Sequence, residues 1–439
     1  MKTIHILLSV GLIAAFLLAG CAPAGEAPTP TEPEKPTQPV PAEAQDLVGE
    51  VSYNPNPQAT LDQIKALADA HNTFALDLYH QLTNQGENIL YSPYSIYLAL
   101  LMTYAGAAGD TASQMESALH LPYPQAEIHA VMNALNQQLN ANSLVDGKPA
   151  FTLNIANQLW GQAGFDFLPD FLNTLSENYN AGLKTVDFAS NPEAARQLIN
   201  LWVAAQTNEK IKDLIPEGAL NELTRLVISN AVYFKAAWLY PFDPADTKDG
   251  SFTLLDGTQV NVPMMHSSNT LNAYVSDEVQ LVELPYEGGT YSMVVVMPKA
   301  GSMEAFEQTL TLESLQNLLG QMQRASVTLS MPKFKFEAAF NLNATMQALG
   351  MKDAFDAENA DFSGMDGKKD LSITSMLHKA YIDVNEEGTE AAAATAVVVG
   401  LTSAPGQSYT ITLDHPFLFA IRDNATGTLL FVGRMANPS

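Results

Sequence analysis

The chain has 439 residues, 47% hydrophobic and 15% charged, an ordinary globular composition that excludes a disordered or fibrous protein. Asp plus Glu number 47 against 21 Lys plus Arg, a net charge of -26, which opposes contact with a polyanion and sets nucleic acid aside as a partner. The single cysteine excludes an intramolecular disulfide, a CxxC metal site and a paired-thiol redox centre.

That cysteine, Cys21, ends the stretch Leu18-Ala19-Gly20-Cys21. Before it come Lys2 and the apolar run from Ile6 to Leu18, too short to span a bilayer, so residues 1–20 read as an export signal. The four residues resemble a bacterial lipobox. This resemblance implies a diacylglycerol-modified Cys21 as the mature N-terminus, and a lipoprotein held outside the cytoplasm on a cell membrane or outer membrane surface. Buried acyl CH₂ groups contribute about 0.8 kcal/mol each, so two or three chains suffice for anchoring. Residues 22–58 contain nine prolines and six acids against Lys35 alone. Proline blocks regular structure and like charges repel, so 21–58 is expected to be an extended tether, roughly 3 Å per residue. The folded domain is then expected over 59–439.

Within it, Leu61 to Gln81 carries apolar residues at helical spacing, and Ser92-Pro93 opens a second helix to Tyr104, apolar on nearly every side and therefore buried. Phe151 to Trp160 alternates as a strand. Pro169–Tyr179 and Pro192–Thr207 follow as helices, then Arg225–Ala236 as a β-branched and aromatic strand. Leu255-Asp256-Gly257 and Glu287-Gly288-Gly289 are turns between alternating runs, and Tyr291–Met297 is a continuous apolar strand. Met303–Leu319 predicts a helix, Val327–Phe336 a strand, Leu342–Leu349 a short helix and Leu371–Val384 a long strand. Two last strands lie at Tyr409–Leu413 and Leu429–Val432. Helices crowd the first half and strands the second, an α+β pattern without internal repeat.

No enzyme signature occurs: there is no HExxH, GxSxG, GxxxxGK[ST] or GxGxxG, and the eight histidines are scattered. No metal site or cofactor is expected. The informative stretch is Glu386 to Val399, which directly follows a strand. Read with period two, one face is Thr389, Ala391, Ala393, Thr395, Val397 and Val399, small enough to pack inside a sheet. The other is Glu390, Ala392, Ala394, Ala396 and Val398, which tolerates partial exposure. Gly388 is a flexible joint, and no proline interrupts the run before Pro405. The segment suits both an exposed loop and a central strand.

Four motifs in order resemble the serpin family over about 60–439. They are Asn88-Ile89-Leu90-Tyr91-Ser92-Pro93-Tyr94-Ser95, Asn230-Ala231-Val232-Tyr233-Phe234-Lys235 with Trp238 and Pro241-Phe242, Glu386 to Ala394, and His415-Pro416-Phe417-Leu418-Phe419 through Gly433-Arg434 and Asn437-Pro438. The resemblance implies one domain of three β-sheets with eight or nine helices and an exposed reactive loop, a monomer that inhibits rather than catalyses. The partner implied is a serine protease, trapped as a covalent acyl-enzyme when the loop inserts into the main sheet. It further implies a hinge at Glu386, Glu387, Gly388, Thr389, Glu390, Ala391, Ala392, Ala393 and Ala394. A shutter is implied at Ser92, Ser95, Asn230 and His378, and a breach residue at Trp238. The reactive bond would join Thr402 to Ser403, with Leu401 and Ala404 as alternatives. None of these is basic, which favours an elastase-like or subtilisin-like target over a trypsin-like one. The lysines form no basic helix face, so a glycosaminoglycan cofactor is not supported. A non-inhibitory serpin-fold binding protein, or a surface lipoprotein with an adhesive or structural role, stands as the alternative.

Overall fold

A computed structural model describes residues 43–142, 144, 145, 148, 149, 151–389 and 406–439. Strand β1 (Gln45–Leu47) leads to helix α1 (Leu61–Leu82), whose first turn is closed reciprocally. Thr60 Oγ1 accepts the Gln63 N–H, and Gln63 Oε1 accepts that of Thr60. After β2 (Ile89–Tyr91), Ser92 caps α2 (Pro93–Tyr104) and Pro93 occupies its first position, where a missing N–H costs nothing. Helices α3 (Gly109–Ala118) and α4 (Gln125–Asn142) precede a small hairpin, β3 (Leu144–Val145) with β4 (Lys148–Pro149). Then come β5 (Phe151–Gln162), α5 (Pro169–Tyr179), β6 (Leu183–Val186), α6 (Pro192–Gln206) and β7 (Leu226–Ala237).

The second half is strand-rich. It runs through β8 (Lys248–Thr253), β9 (Gln259–Val275), β10 (Val279–Pro285) and β11 (Tyr291–Pro298) to the helices α7 (Met303–Gln308) and α8 (Leu312–Gly320). Strands β12 (Gln323–Pro332) and β13 (Phe334–Asn341) and helices α9 (Asn343–Ala348) and α10 (Ser363–Asp366) follow. The chain closes with β14 (Ile373–Val384), β15 (Gly388–Thr389), β16 (Ser408–Thr412), β17 (Phe417–Asp423) and β18 (Leu429–Met435).

The α+β class holds. A seven-stranded sheet runs β1-β6-β5-β7-β15-β14-β13. A nine-stranded one runs β16-β12-β9-β10-β11-β17-β18-β2 with β8 beside β9. A separate two-stranded sheet, β3-β4, is the third among the described residues, and within the nine-stranded sheet the 17-residue β9 joins two neighbouring sets of strands. The ten α-helices among the described residues include the short α7, α9 and α10, hence the excess over eight or nine. One large apolar core fills the space between the two sheets and α1, α2 and α4. A smaller one, with Ile199, Val203, Val227, Tyr233, Leu377 and Tyr381, lies between α6 and the outer face of the seven-stranded sheet.

Three expectations are corrected. The helix over Met303–Leu319 is two helices, because Thr311 Oγ1 accepts the Ser314 N–H and starts α8 afresh. The strand over Val327–Phe336 divides at Lys333, whose N–H donates to Pro263 O at 2.9 Å as the chain passes from one sheet to the other. The tether is not free up to residue 58. Strand β1 pairs with β6 from Gln45↔Thr185 to Leu47↔Leu183, the Gly49 N–H donates to Ser176 Oγ at 2.7 Å, and Tyr53 Oη donates to Asn133 Oδ1 at 2.7 Å. Residues 45–54 lack proline, and β6 would otherwise be an edge with unmet backbone groups. The export signal, Cys21 and the tether up to residue 42 lie outside the described residues.

Candidate functional site

The centre of the seven-stranded sheet is a seam. Strands β7 and β14 run parallel, paired from Leu226↔Ile373 up to Tyr233↔Tyr381. Above that rung the strands part around β15: Gly388 pairs with Ala237, Thr389 with Ala236, and Thr389 also with Val384. The chain therefore leaves β14, turns through Asn385–Glu387 and re-enters the sheet between β14 and β7. Gly388 is required there, since a Cβ would stand 2.0 Å from the Ala236 carbonyl oxygen. Thr389 is fully buried, and its Oγ1 meets Tyr286 Oη at 2.7 Å. The Tyr286 ring stacks on Trp238 with centroids 4.6 Å apart.

Trp238 holds the turn itself. Its indole Nε1 donates to Asn385 O at 3.0 Å and its backbone N–H to Glu387 O at 2.9 Å, while the Phe242 N–H donates to Glu386 O at 2.9 Å. The Glu386 carboxylate takes Lys333 Nζ at 2.8 Å and Thr247 Oγ1 at 2.7 Å. Burial opposes its ionisation, but these donors outweigh that and hold its pKa below the ordinary value.

Lower in the seam, His378 and Asn230 are partners on one rung. His378 Nε2 accepts the backbone N–H of Ser92 at 3.1 Å, so the proton sits on Nδ1 and is donated to Asn230 Oδ1 at 2.5 Å. The Asn230 amide donates to Ser95 Oγ at 2.8 Å and Asn157 Oδ1 at 2.6 Å, and Ser95 Oγ donates to the same oxygen. Burial pushes the imidazole pKa down to about 3, so the ring is neutral. Four elements, α2, β5, β7 and β14, thus meet through uncharged groups.

The structure brings Ser92, Ser95, Asn230 and His378 into one cluster, and Trp238 against Asn385, Glu387 and Thr389's partner Tyr286. Glu386, Glu387, Gly388 and Thr389 are placed as described. Glu390, Ala391, Ala392, Ala393, Ala394, Leu401, Thr402, Ser403 and Ala404 lie outside the described residues. Sequence reasoning did not single out Asn157, Tyr286, Lys333 or Thr247. Only Tyr286 had a local signal, its place beside the Gly288-Gly289 turn. Among the described residues no group of three or more His, Cys, Asp and Glu could hold a metal, and no helix is long and apolar enough to cross a membrane. Ser330 meets His266 at 2.8 Å, but no carboxylate pairs with the other ring nitrogen among the described residues.

A family model described as Serpin (serine protease inhibitor) matches residues 69–438. An uncharacterized serpin-like protein of Thermococcus kodakarensis is 39% identical over 424 residues, 96% of each chain. The leukocyte elastase inhibitor of Bos taurus is 41% identical over 387 residues, 85% of this chain and 100% of its own. The crystal structure of tengpin, a thermophilic serpin in the native state, superposes with a TM-score of 0.79 at 30% identity, covering 90% of this chain and 100% of that one.

Proposed function

The chain belongs to the serpin family, and from that premise we propose that it traps a serine protease of elastase-like or subtilisin-like specificity as a suicide substrate. The observation that carries the reading is β15: the segment leading into the reactive loop already pairs with both strands of the seam, so a strand is begun in the sheet, and continuing it would part β7 from β14 below. The protease serine would attack the carbonyl of the residue before the reactive bond, which we place at Thr402–Ser403. The ester to the enzyme forms and the amine of the next residue leaves. Extension of β15 by a strand of about 14 residues would then carry the ester roughly 46 Å. Donors of the oxyanion hole displaced in that way lose orders of magnitude in deacylation rate, so the ester persists.

The small residues after Thr389 support the speed this requires, because a bulky or charged inward side chain would delay insertion past hydrolysis. We further propose that a lipid on Cys21 holds the protein outside the cytoplasm, with residues up to about 44 as the tether. Incubation with elastase tests the trap. An SDS-stable species with the summed mass of both proteins is expected, and clean cleavage in the loop without that species would replace the reading by a non-inhibitory binding role.

A further inference from the structure

Any strand that continues from β15 into the seam has to part Tyr233 from Tyr381. The two are direct partners on the last closed rung, with ring centroids 6.3 Å apart, and both face α6. Lys210 lies over both: its Nζ is 6.0 Å from the Tyr233 centroid and 5.6 Å from that of Tyr381. Lys335 also approaches Tyr381, at 5.6 Å, but from β13 on the same side of the seam, and it pairs with Asp383 at 3.4 Å. Lys210 therefore bridges the seam, whereas Lys335 does not.

The turn that presents Lys210 is costly to build. Asn208 and Glu209 have φ of 50° and 61°, a region that residues with a Cβ rarely adopt. It is held by the Glu209 N–H to Ala204 O at 2.8 Å, the Lys210 N–H to Thr207 O at 3.0 Å and the Ile211 N–H to Thr207 Oγ1 at 3.2 Å. Two residues on, Lys212 O accepts Lys379 Nζ from β14 at 3.1 Å. One turn thus grips both strands.

Given the inhibitory reading above, we propose that Lys210, with Tyr233 and Tyr381, is a cation–π clasp on the outer face of the sheet. Its rupture sets the rate of loop insertion and so the share of proteases that is trapped. Continuing the register of Thr389↔Ala236 puts Ala392 opposite Tyr233 on the α6 side, so the incoming side chain is small and the clasp is the resistance. One added strand widens the gap by about 4.8 Å. At unchanged height the ammonium would then stand about 7 Å from each ring, beyond the roughly 6 Å reach of the interaction.

The test is annealing of a synthetic peptide with the sequence of residues 389–402 to the uncut, full-length protein, followed on native gels, beside the number of inhibitor molecules consumed per elastase inactivated. Lys210→Met is expected to anneal about fivefold faster, the rate equivalent of about 1 kcal/mol, and to lower that consumption. Lys210→Arg keeps the cation and is expected to stay near the wild-type rate, which a merely structural lysine would not require. Tyr381→Leu is expected to give the same acceleration, with no further gain from adding Lys210→Met. Equal annealing of wild type and Lys210→Met overturns the clasp alone. A wild type that neither anneals nor forms a covalent complex with elastase removes the inhibitory reading and the clasp with it.

Discussion

The nine-stranded sheet and the seam of the seven-stranded one are joined in opposite ways. In the former, β9–β10, β10–β11 and β17–β18 are antiparallel neighbours close in sequence. Its buried polar groups include two ion pairs: Glu283 with Arg422 at 2.8 Å, and Arg434 with Glu307 at 2.8 Å on the facing α7. Arg434 also donates to the Glu87, Thr83 and Gly86 carbonyls. The seam pairs residues 226 and 373 in parallel, the weaker register, across a long intervening chain. Its polar cluster is neutral throughout, His378, Asn230, Ser95 and Asn157. A neutral hydrogen bond contributes about 1 kcal/mol net and is exchanged at little cost, whereas opening a buried ion pair strands a charge at about 3–5 kcal/mol. Under the proposed insertion, the nine-stranded sheet is thus held by buried ion pairs, and the rungs that would part are held at their polar cluster by neutral groups.

Four changes break or sharpen that contrast. The largest effect is expected from Thr389→Arg: an unpaired charge where Thr389 now packs against Tyr286 expels β15 from the seam, so that it must re-enter against that charge during insertion. At about 3–5 kcal/mol the insertion slows by at least about 100-fold. Gels with elastase should then show cleaved product and almost no covalent complex, and undiminished trapping would sink the insertion mechanism. Next is Arg434→Met in the nine-stranded sheet. It leaves Glu307 buried without its cation, and the melting temperature is expected to fall by roughly 4–6 °C. The share of elastase trapped should stay unchanged, since the seam is untouched; a changed share would couple the two regions.

The third is acid. Burial lowers the pKa of His378 to about 3, and of His71 and His129 to about 4. Each is neutral when folded and protonated when unfolded below its ordinary value of 6.5, so the stability they contribute is full above pH 6.5 and is lost as pH falls. Between pH 6 and 5 the three together remove about 4 kcal/mol per pH unit. In denaturant titrations His378→Asn is expected to reduce that slope by about a third, and an unaltered slope would mean that its ring is charged in the folded state. The smallest effect is expected from Tyr286→Phe, which deletes the partner of Thr389 Oγ1 and keeps the stack on Trp238. It should cost about 1 kcal/mol and loosen β15, read as faster hydrogen exchange at the Thr389 amide. Unchanged exchange there would show that pairing with Ala236 and Val384 holds β15 unaided.

Much of the fold was visible in local pattern. The helical spacing from Leu61, the proline-started helices at Pro93, Pro169 and Pro192, and the apolar strand at Tyr291 all stand where the periodicity puts them. The breaks inside Met303–Leu319 and at Lys333 were hidden. The first turns on Thr311 finding Ser314, and the second on which sheet can accept the next residue, which apolar spacing does not encode. The segment at residues 45–47 looked like tether because acids and prolines surround it. It became a strand because β6 offered an unpaired edge.

The sequence by itself determined a run of small residues behind Gly388, able to lie in a sheet, and a serpin's motifs in order. Whether Thr389 sits inside the sheet, which tyrosine meets it, how Asn157 completes the cluster under His378 and where Lys210 rests were decided only by the tertiary structure. Those contacts join residues tens to hundreds of positions apart. Their partners are selected by which surfaces two sheets and a helix press together, and local spacing carries no record of that choice.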